Sequence, residues 1–220
     1  KRLIDDGNAC YLVADQKGFK NKLLPIPSQE FSEWLAHEFY RQHGAILGDL
    51  STKKYIPTIK GRAKLEGKKS HVYNRFAWVD GKLYIDMGDD SFSVIEVDSN
   101  GWRILPQSPV YFLRSPHQEP IPMPEHGDLL ELLDYIHVTG DHEKMLVIAW
   151  AGTYALAHIQ RPMLILKGQP HSAKTTAARM IHSLLDPCKP LEVDLPKKED
   201  ELALGLFHNA VPFFDNMSKV

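Results

Sequence analysis

The sequence is short of several things that would narrow its class at once. It has only two cysteines, Cys10 and Cys188, far apart and without a C-x-x-C pair. That excludes a zinc ribbon and a disulfide framework, and it fits a reducing compartment, so a cytoplasmic location is expected. It has no large charge excess. A net charge of −2 leaves no chain-wide attraction to nucleic acid, and only a local patch can supply one. It has no apolar run of membrane length. Met145 to Ile159 is almost continuously apolar, but it falls short of the ~20 residues of a membrane-spanning helix. His158 and Arg161 close it, so burial beside a sheet is expected and no membrane partner. The histidines lack H-E-x-x-H or comparable ligand spacing, and there is no G-x-S-x-G elbow or other triad spacing. No secretory leader opens the sequence. Lys1 without a methionine, and Val220 just past an apolar stretch, read as cuts within a larger protein.

What is present is ordinary globular composition. Hydrophobic content of 43% and charged content of 25% allow one large or two small domains with real cores.

One stretch organises the rest. Met163-Leu164-Ile165-Leu166-Lys167 is a short apolar run that predicts a buried strand, and Ala177 to Leu185 carries helix-period apolar residues. Between them lie Gly168, Gln169, Pro170, His171, Ser172, Ala173, Lys174, Thr175 and Thr176. Strand, phosphate-sized loop, Lys-Thr and helix together make a P-loop. The loop's backbone amides and the helix N-terminus would face phosphate oxygens. Lys174 would reach the β- and γ-phosphates, and the Thr175 hydroxyl would hold Mg²⁺. ATP and Mg²⁺ are therefore the expected ligands. Ala173 departs from the glycine of the motif and resists positive φ, so the loop is expected to keep its shape with Ala173 at negative φ. His171 either contacts phosphate or faces solvent. The bland alternative is a plain strand-to-helix turn.

A magnesium-bound triphosphate needs a carboxylate opposite, at the end of a neighbouring parallel strand. Ala210 to Ser218 reads as an apolar strand ending in Asp215, which would hold Mg²⁺ directly or through water. Asn216 follows where many ATPases carry a glutamate base. An amide cannot accept a proton, so it would orient water at most and could not act as the base for hydrolysis. Asp215 could otherwise be a turn acid or helix cap.

Upstream, Ser28 is a natural helix N-cap, with Phe31, Trp34, Leu35 and Phe39 on one face and Gly44 placed to end the helix. From Ser51 to Arg75 there are eight basic residues against one acid, with Tyr55 and Tyr73 interleaved. Lys60, Arg62, Lys64, Lys68, Lys69 and Arg75 are candidates for single-stranded DNA contact, or else a solvated helix and loop. Pro57 predicts a helix starting near Ile56. Residues 71–113 read as a β-meander, with Asp80-Gly81 as a type I′ hairpin turn. Asp86, Asp89 and Asp90 are either turn formers or a weak metal cluster. Four prolines between Ser115 and Pro124 predict a stiff connector. The expected organisation is an α+β domain with a meander (1–114), a Pro-rich linker (115–127) and part of an α/β P-loop domain with a parallel sheet (128–220).

With both motifs in hand, the chain resembles the primase–helicase-type P-loop ATPases of phages, plasmids and integrated elements. Those are related to superfamily-three helicases and the AAA+ class. The resemblance runs through Val72-x-x-Arg75, Asp80 to Gly88, Val94 to Val97, Gly101-Trp102-Arg103 and Pro109-Val110 into Gly168 to Thr176. It ends at Phe214-Asp215-Asn216-Met217-Ser218, which is similar to a Walker B strand. About 40 residues separate Lys174 from Asp215, with one expected strand between, as in that class. The resemblance implies an ATP-driven motor on DNA, acting as a homo-oligomeric ring when full length. The sensor residue and arginine finger would lie beyond Val220. The competing reading is a nucleotide-driven signalling or defence switch whose first domain binds a protein. A P-loop fold without function is the third.

Overall fold

The computed structural model describes residues 2–16, 19–156, 158–160, 162–189, 193–196 and 198–215. In chain order the elements begin with β1 (Arg2–Asp5), β2 (Cys10–Gln16), β3 (Phe19–Ile26), α1 (Gln29–His43), α2 (Asp49–Glu66), β4 (Lys68–Lys69) and β5 (Val72–Tyr73). A meander follows as β6 (Phe76–Val79), β7 (Lys82–Asp86), β8 (Val94–Asp98) and β9 (Gly101–Leu105), then β10 (Tyr111–Phe112). The remainder is α3 (Leu132–Tyr135), α4 (Asp141–Tyr154), α5 (Lys174–Leu185), β11 (Val193–Asp194), α6 (Glu199–His208) and β12 (Phe214–Asp215). Two compact units result. One is Lys1–Tyr73, Asp90–Phe92 and Pro106–Leu113; the other is Asn74–Asp89, Ser93–Leu105 and Arg114–Val220.

The first unit is a mixed sheet in the order β3-β2-β1-β4, antiparallel except where β4 runs parallel to β1. Because strand side chains alternate, Cys10, Leu12, Ala14, Leu24 and Ile26 share one face. There they pack on Phe31 of α1 and Ala63 of α2. Ile4, Tyr11, Val13 and Leu23 share the other, against Tyr111 and Leu113. The Ser28 hydroxyl caps α1 by accepting from the Phe31 amide at 3.0 Å, and Gly44 closes it at φ 64. α2 begins at Asp49, well before the expected start, and carries Pro57 in its interior. The proline faces solvent, opposite the Ile56, Ile59 and Ala63 stripe that docks on the sheet, so its ring meets no neighbour of that core.

In the second unit β6-β7-β8-β9 form an antiparallel sheet. Asp80 (φ 52) and Gly81 (φ 75) make the β6–β7 turn, both left-handed as a type I′ hairpin requires. Val72–Tyr73 does not belong to this sheet; β5 pairs in parallel with β10. Downstream, Leu132, Ile136, Val147, Ala151 and Ile181 form a core among α3, α4 and α5. The Pro-rich segment is sewn to the turn after α5: the Glu119 amide donates to the Pro187 carbonyl and the Lys189 amide to the His117 carbonyl, both at 2.8 Å. Among the described residues no helix is long and apolar enough to cross a membrane.

The expected α/β P-loop core is not borne out. Residues 163–167 form no strand, and the only parallel pairing among the described residues downstream of the meander joins the two-residue strands β11 and β12. Among the described residues the sheets are two of four strands, one mixed and one antiparallel, and two parallel pairs, β5 with β10 and β11 with β12. The physical reason lies in the run itself. A central parallel strand is covered on both faces, whereas here only Leu164 and Leu166 turn partly inward, and Met163 and Ile165 stand 74% and 61% exposed. The segment alternates in exposure and has no ladder partner among the described residues.

Candidate functional site

The loop is anchored from behind. Trp150 on α4 donates its indole N–H to the Pro162 carbonyl at 2.8 Å, and Leu164 packs on the core beneath α5. The chain then turns, with the Ser172 amide donating to the Gln169 carbonyl at 3.3 Å. His171 (φ 63) and Ala173 (φ 59) are both left-handed, and α5 starts directly at Lys174. Ala173 was expected at negative φ, and the structure corrects this. A left-handed alanine costs about 1–2 kcal/mol, and the helix that opens with the Ala177 amide bonding the Ala173 carbonyl at 2.9 Å holds it there.

This backbone folds the loop back toward the head of α5. The Lys174 ammonium curls back over it, donating to the Gln169 carbonyl at 2.6 Å and to the Ser172 hydroxyl at 3.3 Å. A side chain on Gly168 would meet Ser172 Oγ at 2.8 Å, so the Ser172 hydroxyl would have to turn aside to admit one. An α-helix leaves its first amides without intrahelical acceptors. Ala173 caps none of them with a side chain, and the first turn of α5 carries no acid. A cation held over a loop at the N-terminal head of a helix is an arrangement that favours an anion. Thr175 sits in that first turn; Gln169, Pro170, His171, Ser172 and Thr176 are exposed around it.

At the other end of α5, Asp186 gathers several elements. One carboxylate oxygen accepts from Arg75 Nε at 2.8 Å; the other accepts from the amides of Ala210 at 3.1 Å and Val211 at 3.2 Å. Tyr154 on α4 donates to the Ala210 carbonyl at 2.5 Å. Further along, the Phe213 ring lies 6.2 Å from the His182 ring. These two contacts fix a direction. His182 stands four residues before Asp186, about 6 Å back along the helix, and Phe213 stands two residues beyond Val211, about 7 Å on if extended. The segment therefore leaves Asp186 alongside α5, with Phe213 beside the turn that carries His182. Asp215 pairs with Asp194 across β11–β12. Asn216 lies outside the described residues, as do Leu191 and Glu192 of the expected second strand.

His182 is buried, with no well-aligned partner for Nδ1 and Cys188 Sγ 3.9 Å from Nε2. Burial pushes its pKa below the ordinary value, against the opposing charge of Asp186 and the nearby Val211 backbone. Burial also pushes the Cys188 thiol up to about 11, which leaves it a poor nucleophile. A cavity of about 10 Å³ beside Arg75, Asp186 and Asn209 has room for one water. In the first unit, an open cleft of about 260 Å³ lies between Leu24, Trp34, Glu33 and His37, with the Lys22–Glu30 ion pair at its rim.

The acidic cluster is structural. Asp86 is buried and takes two hydrogen bonds from Arg114 (2.8 and 2.6 Å) and one from Gln118 (3.0 Å), while Asp89 caps the Ser93 amide at 2.9 Å. Among the described residues no group of three His, Cys, Asp or Glu side chains is arranged to hold a metal. Of the basic candidates, Lys60 and Lys64 lie on α2 at i and i+4, Arg62 pairs with Glu66 at 3.0 Å, Lys68 lies over the Tyr111 ring, and Lys69 pairs with Asp5. Arg75 cannot serve a nucleic acid. It is 1% exposed, and besides Asp186 it donates to the carbonyls of Asp86, Glu119 and Pro187. Sequence reasoning placed Arg75 on the surface because it closes a basic run, and it passed over Asp186, His182 and Tyr154 entirely. The one available signal was Asp186-Pro187 directly after an amphipathic helix, where a cap is expected.

No family model, no curated protein and no solved structure matches this chain.

Proposed function

We propose that the loop from Gly168 to Thr176, together with the segment ending at Asp215, binds ATP with Mg²⁺. We propose further that this is the nucleotide module of a DNA-replication ATPase from a mobile element. The observation that carries the reading is the Lys174 ammonium curled over the loop at the head of α5, whose N-cap Ala173 makes no side-chain bond and whose first turn carries no acid. The donors present suit the ligand. Lys174 offers a point charge to the phosphates, the loop and first-turn amides offer neutral donors, and the Thr175 hydroxyl and Asp215 are hard oxygen ligands of the kind Mg²⁺ takes. The metal, once bound, would neutralise phosphate charge. The chain's own part is to hold and orient the polyphosphate. Asn216 supplies no base, so turnover requires a group other than this amide.

The basic face of α2 is the proposed contact for single-stranded DNA. Lys53, Lys60 and Lys64 recur at i, i+7 and i+11, a single stripe along the helix. A second reading is favoured by one observation: Ile46, Leu50 and Leu65 of the same unit are about four-fifths exposed or more, which suits a protein partner in a nucleotide-driven switch.

Calorimetric titration with ATP in Mg²⁺ buffer tests the nucleotide reading. Saturable binding is expected, and Lys174→Ala should weaken it by about tenfold or more, since a hydrogen bond to a charged group contributes about 1.5–3 kcal/mol. Absence of binding, or equal affinity in the variant, overturns it.

A further inference from the structure

We infer that Asp186, held by Arg75, is a positioning residue that sets the register of the segment ending at Asp215 against α5. It thereby governs the Mg²⁺-dependent half of the nucleotide site. The inference rests on the nucleotide reading above and goes further by naming a residue remote from the phosphates.

The argument starts from how completely the Asp186 carboxylate is used. It is buried, 5% exposed, and both oxygens are bonded: one to Arg75 Nε, the other to the consecutive amides of Ala210 and Val211. Two successive amides on one oxygen define a register. A slip of one residue advances an extended chain by about 3.3 Å and turns every side chain to the opposite face. That shift would move residue 215 by the same step and turn its side chain to the other face. Asp186 is itself fixed to that helix, its amide donating to the His182 carbonyl at 2.8 Å. α5 is thus a rod with the phosphate loop at one end and the clamp for the incoming segment at the other.

Arg75 makes the clamp rigid. Its guanidinium balances the buried charge and directs its other N–H groups to the carbonyls of Asp86, Glu119 and Pro187, at 3.1, 2.8 and 3.1 Å. The meander turn, the Pro-rich segment and the end of α5 therefore all bear on one carboxylate. Replacing Asp186 by asparagine keeps the shape and breaks the function. Every partner is a donor, so whichever way the amide is oriented its NH₂ faces either Arg75 or the two amides.

The experiment is ATP titration of the full chain in Mg²⁺ and again in EDTA. It compares wild type, Asp186→Asn and the double variant Arg75→Met/Asp186→Leu, which buries no lone charge. Circular dichroism melts establish folding. Wild type is expected to bind more tightly with Mg²⁺. Both variants should lose about 10–100-fold of that gain, the range seen when supporting groups behind a metal ligand are removed. Affinity in EDTA, carried by the loop, should stay within about twofold. A folded variant that keeps the wild-type Mg²⁺ gain overturns the inference, as does an equal loss in both buffers. If Asp186→Asn fails to fold, the double variant decides by the same ratio. If both fail to fold, the clamp belongs to the fold and not to the site, and the inference is wrong. Wild type that binds no ATP in either buffer removes the nucleotide reading itself, an outcome distinct from all of these.

Discussion

The Lys174 ammonium donates to the Gln169 carbonyl at 2.6 Å, across the loop that precedes its own helix. The bond stores the cation where an incoming phosphate would meet it, and a phosphate oxygen is a better acceptor than a neutral carbonyl. Ligand binding is therefore expected to draw the ammonium off Gln169. Because the loop is exposed, this exchange should leave the ligand-free fold nearly untouched. The expected result is a wild-type melting temperature that rises with ATP, by an amount equivalent to about 2.7 kcal/mol at a hundredfold excess over Kd. Lys174→Ala should melt within about a degree of wild type without nucleotide and lose most of the rise. A rise of equal size in the variant would refute the role given to this lysine.

Ala173 makes a sharper prediction because it concerns the backbone alone. At φ 59 it carries a steric penalty that glycine would not. Glycine also loses more freedom on folding, by about 0.5–1 kcal/mol relative to alanine, so the two effects nearly offset. Ala173→Gly should thus be neutral or stabilising by up to about 1 kcal/mol in urea denaturation. Ala173→Val, with a branched side chain in a left-handed position, should cost more than about 1 kcal/mol by the same measure. The reverse order would mean that residue 173 is not left-handed in solution.

Local chemistry in this chain was legible where a single residue determines the outcome. Ser28 and Gly44 bracket α1 because a hydroxyl cap and a left-handed glycine are requirements of helix ends. Asp80-Gly81 turns β6 into β7 for an equally local reason. Position in the fold was not legible in the same way. An apolar run such as Met163 to Lys167 has the composition of a buried strand, yet whether it becomes one depends on neighbours on both edges, which composition does not encode. Pro57 misled because a first-turn rule was applied to a proline on the solvent side of a longer helix. Arg75 misled for a related reason. Its basic neighbours lie on a helix surface, and its own burial is decided by Asp186, 111 positions away in sequence.

The DNA reading divides the basic residues by what each already holds. Arg62 is shared with Glu66 and Lys69 with Asp5, so each has a carboxylate to give up before it can bind phosphate. Lys60 and Lys64 make no ion pair among the described residues. Charge reversal of Lys60, Arg62 and Lys64 together should abolish binding to a single-stranded oligonucleotide. The milder Lys60→Ala/Lys64→Ala should flatten the slope of log affinity against log salt by about 0.7 for each phosphate that is no longer neutralised. Arg62→Ala should change the slope less than Lys64→Ala, and the buried Arg75 should contribute nothing to it. Fluorescence anisotropy across a salt series reads all of these. Affinity indifferent to the triple reversal would turn attention to the exposed Ile46, Leu50 and Leu65 as a protein-binding surface.

His182 gives the chain a pH dependence that can be assigned to one ring. It lies on the buried face of α5, with Asp186 one turn on, Arg75 beyond that carboxylate, Cys188 beside its Nε2, and Phe213 and the Val211 backbone on the opposing segment. Desolvation lowers its pKa below the ordinary 6.5, and the Asp186 charge only partly restores it. The folded state therefore binds this proton less readily than the unfolded chain does. Stability from the neutral ring is fully present above the unfolded value and is lost as pH falls below it toward the folded value. The slope from one such group is at most about 1.4 kcal/mol per pH unit. Urea denaturation from about pH 7 to pH 5 should show this loss in wild type, and His182→Leu, which has no proton to gain, should show a flatter profile over the same interval. Carboxylates protonate in both proteins at lower pH, so the difference between the two curves isolates the histidine. Parallel curves would mean that His182 takes up its proton in the folded state as easily as in the unfolded one, and that the ring is better solvated or better bonded than its burial on the inner face of α5 requires.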